Sequence, residues 1–303
     1  MKNGILETKK ILVIVSLCVL FIFVSGQQGC QSSASKQGLD FTLISRAGFL
    51  TAGKTLHQEE SFYVGARIEN YDFRERSGLI CIRDDVDEGF GGISSQGMGE
   101  CQNFVVRAAE KKKSEKKGLF PSSSEITPGV VEVYYPQEQE YRYFGLPSTV
   151  KPYSPNLFVS LQYNEITQAT ATVTVPGTEH PVAAQEPSLI KASFLKTLYP
   201  RSDGYKLDLT VDLTKQSTGK IFLPDFSKEN YTQFHIQLYN VPLECSVAGK
   251  PVFGEVSIEN TRTIKCSGFV YSKNEQSFPL VLTLSYGVIL EKKFNFNIKT
   301  IEE

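Results

Sequence analysis

The chain has 303 residues and a formal net charge of −1, with 32 basic and 33 acidic side chains. This balance excludes the broad positive field that nucleic-acid-binding proteins carry, and we predict no nucleic-acid partner. The length suits about two domains of ordinary size. Phenylalanine and tyrosine are frequent, with 20 and 14 copies, and tryptophan is absent. Together with the β-branched residues, these aromatic side chains favour pleated strands over helices.

The N-terminal region has the parts of an export signal. Lys2, Lys9 and Lys10 form a basic head, and the run at 11–24, ILVIVSLCVLFIFV, is almost wholly apolar. This run is short for a membrane span and right for a signal-peptide core, with a buried core helix as the alternative. Because lysines before such a core stay in the cytoplasm, everything after it should be exported. We predict a signal peptide or an uncleaved signal anchor at residues 1–29.

A Gly-Cys pair follows the apolar run. Gly29 before Cys30 resembles a lipoprotein signal, in which a small residue precedes a cysteine that is lipidated and becomes the new N-terminus. Such signals usually carry leucine or a similar residue three places before the cysteine, where this chain has Gln27. The alternative is a plain signal peptide cut near Ser25. We predict lipidation at Cys30 and a flexible tether at residues 30–38, because this polar sequence cannot bury enough apolar area to fold.

Four further cysteines form two local groups. Cys81 and Cys101 are separated by 20 residues, and Cys245 and Cys266 by 21. Four cysteines permit three pairings, and the local one keeps each bridge inside one half of the chain. Export provides an oxidising compartment, so we predict these two disulfides, with free buried thiols as the alternative. No Cys-x-x-Cys pattern or nearby histidine pair supports a metal site.

Strict alternation of apolar and polar residues recurs along the chain. It is clearest in FYVGARIE at 62–69 and in YKLDLTVDL at 205–213. Such alternation predicts strands with one buried face. The same period occurs at 171–175, 234–239, 280–286 and 294–298. No sustained helical stripe occurs outside the leader, so we predict an all-β fold of two tandem Ig-like β-sandwich domains after an N-terminal signal or anchor helix.

The domain boundary is predicted at a proline-rich stretch. Residues 175–187, VPGTEHPVAAQEP, contain three prolines and little periodicity. A segment of this kind marks a loop or linker. We therefore predict a first sandwich at 39–175, a linker at 176–187 and a second sandwich at 188–303.

One stretch carries a family resemblance. Residues 62–78, FYVGARIENYDFRERSG, resemble the opening of an Ig-like module of the CARDB or fibronectin type III kind, in which an alternating strand ends in a Glu-Asn or similar turn before a Gly-led strand. The resemblance implies an exported prokaryotic envelope protein, similar to archaeal ones especially, in which such modules act as spacers and binding units. The resemblance implies a domain architecture and says little about chemistry. The chain departs from antibody-type domains in having no tryptophan and a cysteine separation near 20.

An acidic segment between the first two cysteines raises the question of calcium. The sequence RDDVDEGFGG at 83–92 places four carboxylates close together. Ca²⁺ takes six or more oxygen ligands, but the spacing of a calcium loop and its closing glutamate do not follow. We predict a solvated acidic loop and no metal, with calcium as the alternative. The four residues are Asp84, Asp85, Asp87 and Glu88.

An aromatic stretch is the candidate for partner binding. Residues 133–144, VYYPQEQEYRYF, combine aromatic rings with Gln and Glu. Tyrosine-rich surfaces offer large amphipathic contact area at low entropic cost. The alternative is that alternate rings pack within the first domain. The residues in question are Tyr134, Tyr135, Tyr141, Tyr143 and Phe144.

Catalytic patterns find no support. His57, His180 and His235 are isolated in sequence, and no Gly-x-Ser-x-Gly motif occurs. We predict a non-enzymatic, membrane-anchored extracytoplasmic spacer or binding protein of the cell envelope, with no cofactor. Its expected partners are the membrane, through the N-terminal segment or a lipid, and another envelope or extracellular protein. The alternatives are a glycan- or solute-binding lipoprotein and a secreted hydrolase.

Overall fold

The computed structural model describes most of the chain beyond its N-terminal region. The predicted leader, the lipidation site Cys30 and all but the last residue of the tether lie outside the described residues. The described residues are 38–94, 96–112, 125–147, 152–185, 188–216, 219–272 and 274–300. No helix in this part of the chain has the length and apolar character that a bilayer crossing requires.

The regular secondary structure of the described residues is almost entirely β-strand, with one short 3₁₀ helix at Glu88–Phe90. The earlier strands are β1 (Leu39–Leu43), β2 (Thr55–His57), β3 (Val64–Asn70), β4 (Arg76–Asp84), β5 (Glu100–Val106), β6 (Glu110–Lys112), β7 (Glu125–Thr127), β8 (Gly129–Tyr135) and β9 (Asn156–Val175). The later strands are β10 (Ala184–Gln185), β11 (Ile190–Arg201), β12 (Gly204–Lys215), β13 (Lys220–Phe222), β14 (Tyr231–Leu238), β15 (Val241–Pro242), β16 (Glu244–Val247), β17 (Lys250–Pro251), β18 (Glu255–Ser257), β19 (Thr261–Val270), β20 (Gln276–Asn295) and β21 (Asn297–Lys299).

Alternating burial along these strands confirms the predicted all-β sandwich fold. Each of the six alternating segments in the sequence overlaps a strand: β3, β9, β12, β14, β20, or the β20–β21 junction. On β12, Leu207, Leu209 and Val211 are buried, and the residues between them face away from the core. The period of two therefore assigns the faces of the strands correctly.

Three sheets account for most of the strands. One sheet has the order β1-β3-β8, and another has the order β11-β12-β19-β16-β17. A nine-stranded sheet contains the path β15-β14-β20-β9-β4-β5, with β10, β13 and β18 off this path. Two small pairs, β2-β21 and β6-β7, complete the described pairing.

Two very long strands run through the nine-stranded sheet. β9 and β20 have 20 residues each, whereas strands in globular proteins usually have about 3–10. They pair antiparallel over their whole length, from Asn156 opposite Asn295 to Val175 opposite Gln276. The first part of β9 also pairs with β4, and the first part of β20 also pairs with β14. Each long strand therefore runs through both halves of the molecule.

The two smaller sheets cover this long sheet. In the first half, the Tyr135 hydroxyl on β8 donates to the carbonyl of Ile80 on β4. In the second half, Lys196 Nζ on β11 donates to the carbonyl of Thr174 on β9 at 2.7 Å. Buried side chains of both halves belong to one connected hydrophobic cluster.

The halves of the chain are joined by strand pairing. The described residues belong to one compact unit, Gln37–Glu303. β21 pairs in parallel with β2, which brings the end of the described chain against its beginning. The domain limits at 39–175 and 188–303, with a linker at 176–187, stay a prediction. The structure adds that the pairing of β9 with β20 connects the two halves.

Both local disulfides are present. Cys81 on β4 lies opposite Cys101 on β5, and Cys245 on β16 lies opposite Cys266 on β19. The local pairing is therefore confirmed, and the two pairings that would cross between the halves are excluded. Two disulfides indicate an oxidising, extracytoplasmic environment.

Candidate binding groove

The five-stranded sheet has one face in the core and the other open to solvent. Leu207 and Leu209 of β12 point into the core. Lys206, Asp208 and Thr210 stand between them and face outward, as strand alternation requires. This outer face collects side chains from strands that are far apart in sequence.

The strand register places polar side chains in rows across this face. Asp208 lies opposite Thr197 on β11 and opposite Ser267 on β19. Ser267 lies opposite Glu244 on β16. Neighbouring strands are about 4.7–4.9 Å apart, so this row puts hydroxyl and carboxylate groups side by side over four strands.

A groove of about 820 Å³ runs over this row, and we call it the outer-face groove. Its lining includes a second row, in which Lys265 lies opposite Thr210 on one side and opposite Ser246 on the other. Because residues two positions apart on a strand share a face, both rows point into the same groove.

Aromatic side chains stand at both sides of the outer-face groove. Tyr199 on the edge strand β11 is 46% exposed, and Phe253 after β17 is 89% exposed. Tyr199 lies opposite Lys206 on β12, whose Nζ is 6.0 Å from the centroid of the tyrosine ring. Both rings therefore border the groove and are open to contact by a bound molecule.

The charges in the outer-face groove balance. Lys206 and Lys265 oppose Asp208 and Glu244, which gives two positive and two negative groups. Lys206 Nζ lies 3.1 Å from Asp208 Oδ1, an ion-pair distance without the alignment of a hydrogen bond. Asp208 Oδ1 is shielded from solvent and, among the described residues, receives no aligned hydrogen-bond donor. Lys206 is thus its charge partner, and because the Asp208 side chain as a whole is 40% exposed, a bound donor approaches the carboxylate from its open side.

A disulfide lies beneath the outer-face groove, on the core side of the sheet in the row of Leu209. Cys245 and Cys266 join β16 to β19 across a Cα–Cα distance of 4.0 Å. The backbone N–H of Val252 donates to the carbonyl of Cys245 at 3.0 Å, which ties the segment before Phe253 to the bridged strand. The disulfide thus helps to position the aromatic wall.

Three of the aromatic residues predicted for partner binding lie inside the protein. Tyr135, Tyr141 and Tyr143 are at most 7% exposed. The Tyr143 ring stacks on Phe62 with a centroid distance of 5.2 Å, and the Tyr141 hydroxyl donates to Glu100 Oε2 at 2.5 Å. These rings pack into the first half of the molecule, so they are not available to a partner.

The other two aromatic residues of this stretch keep exposed rings. Tyr134 packs edge-on against Phe49 with a centroid distance of 5.8 Å, and its hydroxyl donates to Glu132. Phe144 is about half exposed and lies next to Gly91 of the acidic loop. The structure brings neither ring into the lining of the outer-face groove.

The acidic loop uses its carboxylates for internal hydrogen bonds. Asp85 accepts from the N–H and side-chain amide of Asn156, at 2.7 and 2.5 Å. Asp87 caps the 3₁₀ helix by accepting from Gly89 N–H, and Glu88 accepts from Gln96 Nε2. Within the described part of the chain, no group of three or more metal-ligating side chains converges.

Asp84 is the buried member of that loop. Its carboxylate accepts hydrogen bonds from the N–H groups of Val86 and Ile93 at 3.0 and 3.1 Å. It also accepts from the Tyr143 hydroxyl at 2.6 Å. Burial raises the pKa of Asp84 to about 6, against these three hydrogen bonds, and the charge of Asp85 adds to the rise.

This burial predicts a pH-dependent stability. The pKa of Asp84 rises from 3.8 to about 6 on folding, so the folded state holds the proton more tightly than the unfolded state. The stabilisation that protonated Asp84 gives the folded state is therefore fully present below pH 3.8 and is lost as the pH rises through about 6. We expect Asp84→Asn to remove this dependence, measured as the difference between variant and parent free energies of unfolding in urea at pH 4, 5, 6 and 7. A difference that stays constant across the series would contradict the assignment.

The three histidines lie on separate elements. His57 is on β2, His235 is on β14, and His180 lies between β9 and β10. All three are exposed, and none lines the outer-face groove. The structure therefore does not assemble them into one site.

Comparison with protein-family models and with curated proteins found no match to this chain. The case for a site therefore depends on its geometry. Sequence alternation marks Lys206, Asp208 and Thr210 as one face of a strand. The sequence carries no signal that Glu244, Phe253 and Lys265 belong to the same surface, since strand register brings them together.

Proposed function

We propose that this is a non-catalytic binding protein of the cell envelope, tethered to the outer face of a membrane through its N-terminal segment or a lipid on Cys30. Its binding surface is the outer-face groove, and its partner is another component of the envelope. The observation that carries the proposal is a concave polar surface with a protruding aromatic ring, Phe253, at its side.

The location in this proposal is supported by three features. The basic head and apolar run at 11–24 are typical of an export signal. Two disulfides suit the oxidising side of a membrane. The polar segment at 30–38 has the composition of a flexible linker between a membrane and a folded body.

Binding is favoured over a purely structural spacer by the side chains at the groove. A spacer needs only a stable sandwich with a polar surface. Here Phe253 keeps 89% of its surface in water, and Tyr199 keeps 46%. Large rings flanking a groove with several polar groups are what ligand sites use for contact area and orientation.

The proposal predicts groove-dependent attachment to envelopes. The full-length protein, purified in detergent, should cosediment saturably with washed envelopes of its own cells, and binding is counted as the excess over its cosedimentation with vesicles of extracted envelope lipid, which records the tether alone. We expect Tyr199→Ala combined with Phe253→Ala to weaken this binding about tenfold or more, as loss of aromatic anchor residues does in other interfaces. The matched control is Tyr239→Ala, because Tyr239 is 64% exposed and does not line the outer-face groove.

The outcomes separate the parts of the proposal. Equal binding by the double variant and the parent would remove the groove as the binding surface. The same preparation gives the intact mass, which should show a lipid on Cys30 or a retained leader. A soluble mature chain with neither would remove the tether.

A further inference from the structure

The composition of the outer-face groove points to a class of ligand. We propose that the groove binds a neutral glycan of the cell surface, with Tyr199 and Phe253 as stacking platforms and Asp208 and Glu244 as acceptors for sugar hydroxyl groups. This inference rests on the proposed function, because it takes the outer-face groove as the binding surface.

The charge pattern favours an uncharged ligand. The two carboxylates and two lysines of the outer-face groove cancel, and Lys206 pairs with Asp208 at 3.1 Å. A polyanion such as nucleic acid or an acidic polymer is bound by an excess of Lys and Arg, whose counterion release drives the association. The groove offers no such excess.

The polar groups suit a ligand rich in hydroxyl groups. A sugar hydroxyl both donates and accepts, so its site needs donors and acceptors close together. The first row supplies the hydroxyls of Thr197 and Ser267 beside the carboxylates of Asp208 and Glu244. Lys265 in the second row adds a donor. The Asp208 side chain is 40% exposed, so its carboxylate is open on one side to a ligand hydroxyl while Lys206 holds Oδ1.

The aromatic side chains suit the apolar faces of a sugar ring. A pyranose ring presents C–H groups on its faces, and these pack against aromatic rings. Tyr199 stands on β11 at one edge of the sheet, and Phe253 follows β17 at the other edge. Four strand spacings of about 4.8 Å separate these edges, roughly 19 Å, which leaves room for a chain of several sugar rings.

A peptide ligand is disfavoured by the placement of the groove. Extended peptides commonly bind by adding a strand to a sheet edge, where backbone N–H and C=O groups are free. The outer-face groove lies on the face of the sheet, over β12, β19 and β16, each of which is paired on both sides. Recognition there depends on side chains, as on the strand faces with which some β-barrels bind oligosaccharides.

The test uses chemical treatment of the envelopes, because the sugar itself is not identified. Washed envelopes are treated with periodate, which cleaves the vicinal diols of sugars, or with a broad protease, and full-length protein is then cosedimented with each. We expect periodate to abolish binding and the protease to leave it unchanged. Soluble neutral polysaccharides, such as a β-glucan or a mannan, should compete with the envelopes, whereas polygalacturonate should not.

Variants test the roles of the groove residues in the same assay. Asp208→Asn should weaken binding about tenfold, since a hydrogen bond to a charged carboxylate is stronger than one to a neutral amide. Phe253→Tyr should retain binding because it keeps an aromatic platform, whereas Phe253→Ala should lose it. Thermal melting of each variant shows whether it is folded.

The inference and the function on which it rests can fail separately. If protease abolishes binding and periodate does not, the ligand is a protein and the glycan proposal is overturned, while the groove remains a binding surface. If polygalacturonate competes and neutral polymers do not, the ligand is an anion. If attachment does not depend on Tyr199 and Phe253, the proposed function itself fails.

Discussion

Replacement of Arg76 by alanine is expected to lower the free energy of unfolding by about 3–5 kcal/mol. Arg76 begins β4, and its guanidinium donates to Asp72 Oδ2 at 2.8 Å and to Glu165 Oε1 at 2.6 Å. Glu165 is 7% exposed and lies near the middle of β9, opposite Tyr286 of β20. The substitution leaves that carboxylate buried without the guanidinium that donates to it at 2.6 Å.

Charge and burial act together in this cluster. Burial works against the charged guanidinium, but Glu165 and Asp72 outweigh it and raise the pKa of Arg76. Burial also raises the pKa of Glu165, although Arg76 opposes that rise. Removal of Arg76 takes away this opposition, so Glu165 should bind a proton at higher pH in the variant.

Urea unfolding of two further variants tests whether the loss comes from the buried charge. Arg76→Met with Glu165→Leu removes both buried charges, and it should recover much of the loss because apolar replacements of buried ion pairs are often neutral. Lys228→Ala breaks an exposed ion pair with Glu255 and should cost less than about 1 kcal/mol. A loss for Arg76→Ala no greater than that of Lys228→Ala would show that the buried cluster does not stabilise the fold.

Removal of each disulfide should lower the free energy of unfolding by about 3 kcal/mol on a loop-entropy estimate. The two bridges close loops of similar length, with separations of 20 and 21 residues. The variants are Cys81→Ala with Cys101→Ala, and Cys245→Ala with Cys266→Ala. Their stabilities should therefore fall by similar amounts in urea.

Attachment to envelopes should distinguish the two disulfide variants. The Cys245–Cys266 bridge lies beneath the outer-face groove and fixes the strand to which Val252, next to Phe253, is hydrogen-bonded, whereas the Cys81–Cys101 bridge lies in the first half of the molecule. We expect only loss of the former to weaken cosedimentation. Equal binding by both variants would show that the groove keeps its shape without the bridge.

Both interpretations of the 133–144 stretch were open in the sequence because tyrosine is amphipathic. Its apolar ring suits a core, and its hydroxyl suits a surface. The rings of Tyr143 and Tyr135 can be buried because their hydroxyl groups have internal acceptors. The hydroxyl of Tyr143 donates to Asp84, and the hydroxyl of Tyr135 donates to the carbonyl of Ile80. Neither acceptor is near in sequence, so the composition of the stretch does not distinguish a packed ring from an exposed one.

Local pattern by itself predicted six alternating strand segments of this protein and their inner and outer faces, and it favoured the local pairing of the cysteines. Side-chain alternation is a property of each strand alone, and local cysteine pairs need only adjacent strands. Only the tertiary structure decided that β9 and β20 join the two halves, and that Thr197, Asp208, Ser267 and Glu244 form one row. Register between distant strands depends on which apolar faces pack together, and a single strand's pattern does not contain that information.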